Sequence, residues 1–161
     1  MSVVSQPHPN VERIAAEAAR FDVAIETTTF PEGTRTAADA ARAVGCDVAQ
    51  IVKSLVFLVD DEPVVALVSG TNQLSEDRLA DAVGGERVGR ADADAVRAAT
   101  GYAIGGVPPF AHATDLVVVV DEDLLGHDVV WAAAGTPRDV FPIAPEALVR
   151  ITSGTVAPLR R

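Results

Sequence analysis

From Ile51 to Val59 the chain is apolar at every position except Lys53 and Ser54. A strand that is apolar on both faces belongs in the middle of a sheet, covered above and below. Asp60-Asp61-Glu62 then forms a polar turn into a second apolar run, Pro63 to Ser69, so the pair predicts an antiparallel hairpin. Helical spacing governs other stretches. Ile14, Ala18 and Phe21 share one face of a helix over Val11–Arg20, which Asn10 can cap. Thr36, with Asp39 three residues on, opens a short Ala-rich helix that Gly45 stops. Ser75–Val83 is amphipathic and closed by Gly84-Gly85, and Asp92 caps a helix that ends at Gly101. Extended segments are predicted at Val23–Phe30, Arg87–Arg90, Leu116–Val120, Val129–Ala134 and Asp139–Ile143. Asp121 caps a short helix through Leu125, and a last helix covers Pro145–Arg150. Between them, Tyr102–Ala113 carries two glycines and two prolines and reads as a loop.

Hairpin-joined strands with interspersed helices make a single α/β domain of the α+β type. The length, 161 residues, suits one domain, with residues 1–9 and 154–161 expected as flexible tails. Composition sharpens this picture in three ways. The apolar mass is aliphatic, with 28 Ala and 25 Val against five Phe, one Trp and one Tyr, so few rings remain for stacking on bases. Thirteen basic against 23 acidic residues give a net charge of −10, which excludes general coulombic binding to nucleic acid, DNA included. One cysteine, Cys46, excludes a disulfide framework and a cysteine zinc cluster. Without a signal-like start or an apolar run of membrane length, a cytoplasmic protein is expected, with no membrane partner.

Several chemistries are unsupported: there is no G-x-S-x-G elbow, P-loop or G-x-G-x-x-G. His8, His112 and His127 lack metal-ligand spacing, so neither a metal nor a cofactor is expected. Two features stand out. Lys53 is the only lysine beside 12 arginines, and at period two it shares a face with Ile51, Leu55, Phe57 and Val59. An amine there either snorkels out at the strand end or lines a cavity for an anionic partner. The second feature is Gly101 to Phe110, where Gly105-Gly106 permit close approach of a ligand and Pro108-Pro109 stiffen the chain. Such a loop either connects a helix to a strand or offers bare N–H groups to a carbonyl oxygen or phosphate. His112 reads as a loop cap, Cys46 as a small buried hydrophobe and Trp131 as a core or interface residue.

These pieces in this order resemble the YbaK/EbsC family, related to the editing domain inserted in bacterial prolyl-tRNA synthetases. The residues that carry the resemblance are Thr36-Ala37-Ala38, Gln50 to Phe57 around Lys53, Thr100-Gly101-Tyr102, Gly105 to Pro109, Asp121 and Ala134 to Arg138. The resemblance implies a curved, mostly antiparallel mixed sheet of about six to seven strands around one pocket. It implies trans-editing: hydrolysis of the ester between a wrong small amino acid (Cys, Ser, Ala or Thr) and tRNA, with tRNA-Pro as the implied tRNA. The partners it implies are the aminoacyl-tRNA acceptor end and a prolyl-tRNA synthetase. It places the family's lysine on Lys53 and its G-x-x-x-P loop on Gly105 to Pro109. Lys53, Gly105 and Gly106 are thus the expected catalytic residues. Phe30, Ser54, Gly101, Val107, Pro108, Pro109, Ala133 and Gly135 are the expected substrate contacts. Some family members carry a small polar residue where this chain has Ala133. The alternative is a non-catalytic module that binds a tRNA end or a nucleotide in the same pocket.

Overall fold

The computed structural model describes residues 8–34 and 36–161. Helix α1 (Pro9–Ala19) begins one residue before Asn10, because Pro9 presets the first helical φ and His8 caps it instead. Asn10 is free to do something else: its amide donates to the Gly135 carbonyl at 2.9 Å. Helix α2 (Ala37–Val44) is capped as expected by Thr36 and stopped by Gly45 at φ +78. Helices α3 (Glu76–Val83), α4 (Ala93–Thr100) and α5 (Pro145–Thr152) follow the predicted positions, the first two capped by Ser75 and Asp92.

Strands β1 (Thr28–Thr29), β2 (Val52–Val59), β3 (Glu62–Ser69), β4 (Val88–Arg90), β5 (Val117–Asp121), β6 (Val130–Ala133), β7 (Asp139–Ile143) and β8 (Thr155–Ala157) form two sheets. The larger has the order β4-β2-β3-β5-β8, antiparallel on the β2 side and parallel from β3 through β5 to β8. The smaller, β1-β7-β6, is antiparallel throughout. A parallel bridge between Ile51 and Trp131 joins them. The α/β class stands; among the described residues the expected single sheet of six to seven strands is instead eight strands in two sheets, joined at that bridge.

Two expectations change. Val23–Phe30 does alternate half-buried with exposed residues up to Thr28, yet only Thr28 and Thr29 pair, with Val140 and Asp139. Val23 and Ile25 pack on the core without a neighbouring strand, so the side-chain period is present and the ladder is not. The segment from residue 154 is not a loose tail: β8 extends the larger sheet, and Leu159 is fully buried. Of the expected N-terminal tail, residues 1–7 lie outside the described residues, and Pro9 is helical.

The core divides along the faces of the larger sheet. Val52 and Val56 of β2 join Ile14, Phe110, Phe141 and Leu148 on one side. Leu55, Phe57 and Val59 join Ala66, Val68, Leu79 and Leu159 on the other. Among the described residues no helix is long and apolar enough to cross a membrane.

Candidate active site

Strand β2 has an open edge. β3 accompanies its whole length, but β4 begins only opposite Phe57. The direction of its main-chain groups follows from two bonds: Gly70 N–H donates to Ile51 C=O on the β3 side, and Asp60 N–H donates to Arg87 C=O on the β4 side, each at 2.8 Å. In an antiparallel ladder alternate residues bond the same neighbour, so odd residues of β2 bond β3. Between the Ile51–Trp131 bridge and the start of β4, Ser54 therefore presents both its N–H and its C=O to a side where no strand lies.

A cavity of about 360 Å³ occupies that edge. Its walls are Lys53, Ser54 and Leu55 of β2, Ala37, Ala40 and Val44 of α2, Trp131 to Ala133 of β6, and Ile104, Gly105 and Val107 of the loop, with Thr34 and Thr36 at one end. Lys53 and Ser54 have opposite side-chain faces yet line the same space because the cavity straddles the edge.

Lys53 does not snorkel into solvent. Its Nζ donates to the main-chain carbonyl of Asn72 at 2.5 Å. Burial pushes its pKa below the ordinary lysine value, and the negative charge of Asp121 opposes that shift. Ser54 Oγ is buried and, among the described residues, is the one buried side-chain polar atom without a hydrogen-bond partner.

The loop is braced from behind. Tyr102 is buried, and its Oη donates to the Ala111 carbonyl at 2.8 Å. His112 Nε2 lies 2.7 Å from the Pro108 carbonyl, so that nitrogen carries the proton and donates. Burial lowers the His112 pKa, while the bond to Pro108 works against that shift. Gly105 has φ +94 with open space where a Cβ would lie. Gly106 serves packing: a Cβ there would stand 2.9 Å from Thr136 Cα. Its N–H donates to the Ala103 carbonyl at 3.0 Å, so it is not a spare donor for an oxyanion. Gly105 and Val107 both line the cavity, and among the described residues neither N–H donates a hydrogen bond.

Of the expected site residues, Lys53, Ser54, Gly105, Val107 and Ala133 meet at the cavity. Six do not line it. Gly106 packs on Thr136, and Gly101 ends α4 in the left-handed conformation, at φ +85. Pro108 accepts from His112, and Pro109 lines a separate cleft beside it. Gly135 makes room for Asn10, Ile14 and Tyr102, and the Phe30 N–H donates to the Arg138 carbonyl. Sequence reasoning missed the α2 alanines and Trp131 as walls. Thr36 caps α2 and itself lines the cavity, so the capping threonine was the available signal.

A family model described as an aminoacyl-tRNA editing domain matches residues 31–151. The chain is 28% identical over 124 residues to EbsC of Enterococcus faecalis, a candidate Cys-tRNA(Pro)/Cys-tRNA(Cys) deacylase, covering 76% of each. It is 32% identical over 116 residues to a proline–tRNA ligase of Maridesulfovibrio salexigens, spanning 72% of this chain and 20% of that enzyme. A crystal structure described as a candidate trans-editing enzyme for prolyl tRNA synthetase superposes with a TM-score of 0.90 and 42% identity, covering 97% of this chain and 99% of that one.

Proposed function

The chain belongs to the aminoacyl-tRNA editing domain family, and from that premise we propose that it is a trans-editing deacylase acting on tRNA charged with a wrong small amino acid. The observation that carries this reading is the cavity on the open edge of β2. It joins an amine with a hydroxyl and two loop amides that, among the described residues, have no hydrogen-bond partner, in one apolar pocket. Water adds to the ester carbonyl, the tetrahedral oxyanion collapses, and the C–O bond to the ribose breaks. The products are the free amino acid and the tRNA 3′ end with its hydroxyl restored. An aminoacyl ester is already activated, so this needs positioning and charge stabilisation rather than a Ser-His-Asp triad.

The N–H groups of Gly105 and Val107 are suited to receive the oxyanion. Lys53 orients the ester or a phosphate of the terminal nucleotide. A volume of about 360 Å³ is at the small end of ligand pockets, which suits a small aminoacyl group and leaves the nucleotide outside. Action in trans is supported by the likeness to a trans-editing enzyme over 97% of this chain. The partners on this reading are the tRNA acceptor end and a prolyl-tRNA synthetase, and the reaction takes place in the cytoplasm.

The test is ester loss from tRNA-Pro carrying Cys, Ser, Ala or Thr. Cleavage of at least one is expected, and Lys53→Ala should abolish most of it with the melting temperature unchanged. Well-folded protein that cleaves none of the four overturns the catalytic reading. Stabilisation by a non-hydrolysable aminoacyl-adenosine, without turnover, would instead identify a binding module.

A further inference from the structure

Lys53 stands out for what holds it. Its ammonium meets the carbonyl of Asn72, in the turn after β3, which is itself 8% exposed. The Asn72 side chain is strapped twice: Nδ2 donates to Asp121 Oδ2 at 2.8 Å and to Asp123 Oδ2 at 2.7 Å. Asp121 is fully buried at the end of β5. The same Oδ2 accepts the Ser69 N–H at 3.0 Å, and Oδ1 accepts the Asp123 N–H at 3.0 Å. Arg160 approaches the outer carboxylate, Asp123, at 3.8 Å. The strap thus runs from the amine through Asn72 to a carboxylate fixed at two strand ends.

A four-carbon side chain on an open strand edge has many rotamers, and one carbonyl contact selects among them only if the carbonyl is immobile. Charge-assisted bonds from the Asn72 amide to two carboxylates provide that immobility. We propose that Asn72 is a positioning residue: its amide, held by Asp121 and Asp123, fixes its own carbonyl so that the Lys53 amine is presented at the cavity in one orientation. This rests on the deacylase reading for its catalytic consequence, but not for its structural one.

The chain has a single lysine, so protein labelled with 15N-lysine reports one side-chain nitrogen. Wild type should show one slowly exchanging Nζ signal. Asn72→Ala should broaden or remove that signal and lower kcat for ester cleavage about 10- to 100-fold, the weight of one hydrogen bond to a charged group. Asp123→Ala removes one of the two straps at a half-exposed residue and should give a smaller loss of the same kind. If Asn72→Ala does not fold, Asp123→Ala decides by the same two readouts. A folded variant whose Nζ signal and kcat both match wild type overturns the proposal. A wild-type protein with the sharp Nζ signal but no cleavage of any mischarged tRNA overturns the deacylase reading and leaves the positioning role standing.

Discussion

Replacing Ser54 by alanine should make the protein more stable and less active. Its hydroxyl is buried on the open edge of β2 with no partner among the described residues. A buried polar group without a hydrogen bond costs about 1–3 kcal/mol relative to its hydrated state. Ser54→Ala removes that penalty and leaves a void of one oxygen atom, so a net gain of about 1 kcal/mol is expected. For a chain of this length, 1 kcal/mol moves the melting temperature by about 2–4 °C. Activity should move the other way. If the hydroxyl finds its partner in the aminoacyl group, its loss forfeits about 0.5–1.5 kcal/mol, or roughly 2- to 13-fold in kcat/KM. The loss should be larger for seryl-tRNA than for alanyl-tRNA, since only the former has a side-chain hydroxyl to bond. Calorimetry and single-turnover deacylation measure the two effects. A melting temperature that falls by several degrees would mean that Ser54 is already satisfied in the free protein. Unchanged kcat/KM on every ester would mean that the cavity does not use the hydroxyl.

The two loop glycines should respond differently to alanine. Gly106→Ala drives a Cβ to within 3.1 Å of three Thr136 backbone atoms, an overpacking that should cost about 1–3 kcal/mol in urea unfolding and displace the loop with loss of kcat. Gly105→Ala has open space at φ +94, so it should show only backbone strain of about 1–2 kcal/mol; equal loss of kcat in the two variants would refute the distinction. His112 should tie stability to acidity. Its folded pKa lies below the ordinary value of 6.5, so the unfolded chain binds more protons between the two values. Stability should therefore fall as pH drops below 6.5 and level off below the folded pKa. His112→Gln, which keeps a donor for Pro108 but does not titrate, should flatten that part of the curve, and an unaltered slope would count against it. Asp60, whose pKa is also lowered, acts only below its ordinary value of 3.8 and leaves this window clear.

The acidity of the chain and a polyanionic substrate are reconciled by the size of the site. A net charge of −10 repels a duplex stem, because phosphate binding grows with the number of cationic contacts. The cavity asks for none of that stem. On the proposed reading it presents one amine and neutral main-chain donors to the end of a single strand, which leaves the rest of the tRNA in solvent or with a synthetase.

What was legible in the sequence was local, and what was hidden depended on which strands fail to meet. Thr36, Ser75 and Asp92 announce helix starts through their own side chains, and Gly45, Gly84 and Gly101 announce stops by adopting positive φ. The hairpin was readable because two apolar runs flank a polar turn. Lys53 was conspicuous because an amine among aliphatic residues is costly wherever it lies. Ser54 drew less notice, since a serine between a lysine and a leucine is unremarkable until its surroundings are known. Its significance comes from β4 stopping at Arg90, opposite Phe57, and from β6 bridging only to Ile51, the residue before β2. Those are the lengths of distant segments, and no residue of β2 encodes them. The proposed donor moves from Gly106 to Val107 for a local reason, a turn within the loop that takes the Gly106 N–H. A pocket built from an unpaired strand edge is thus a statement about absent neighbours, and alternation along one strand cannot reveal it.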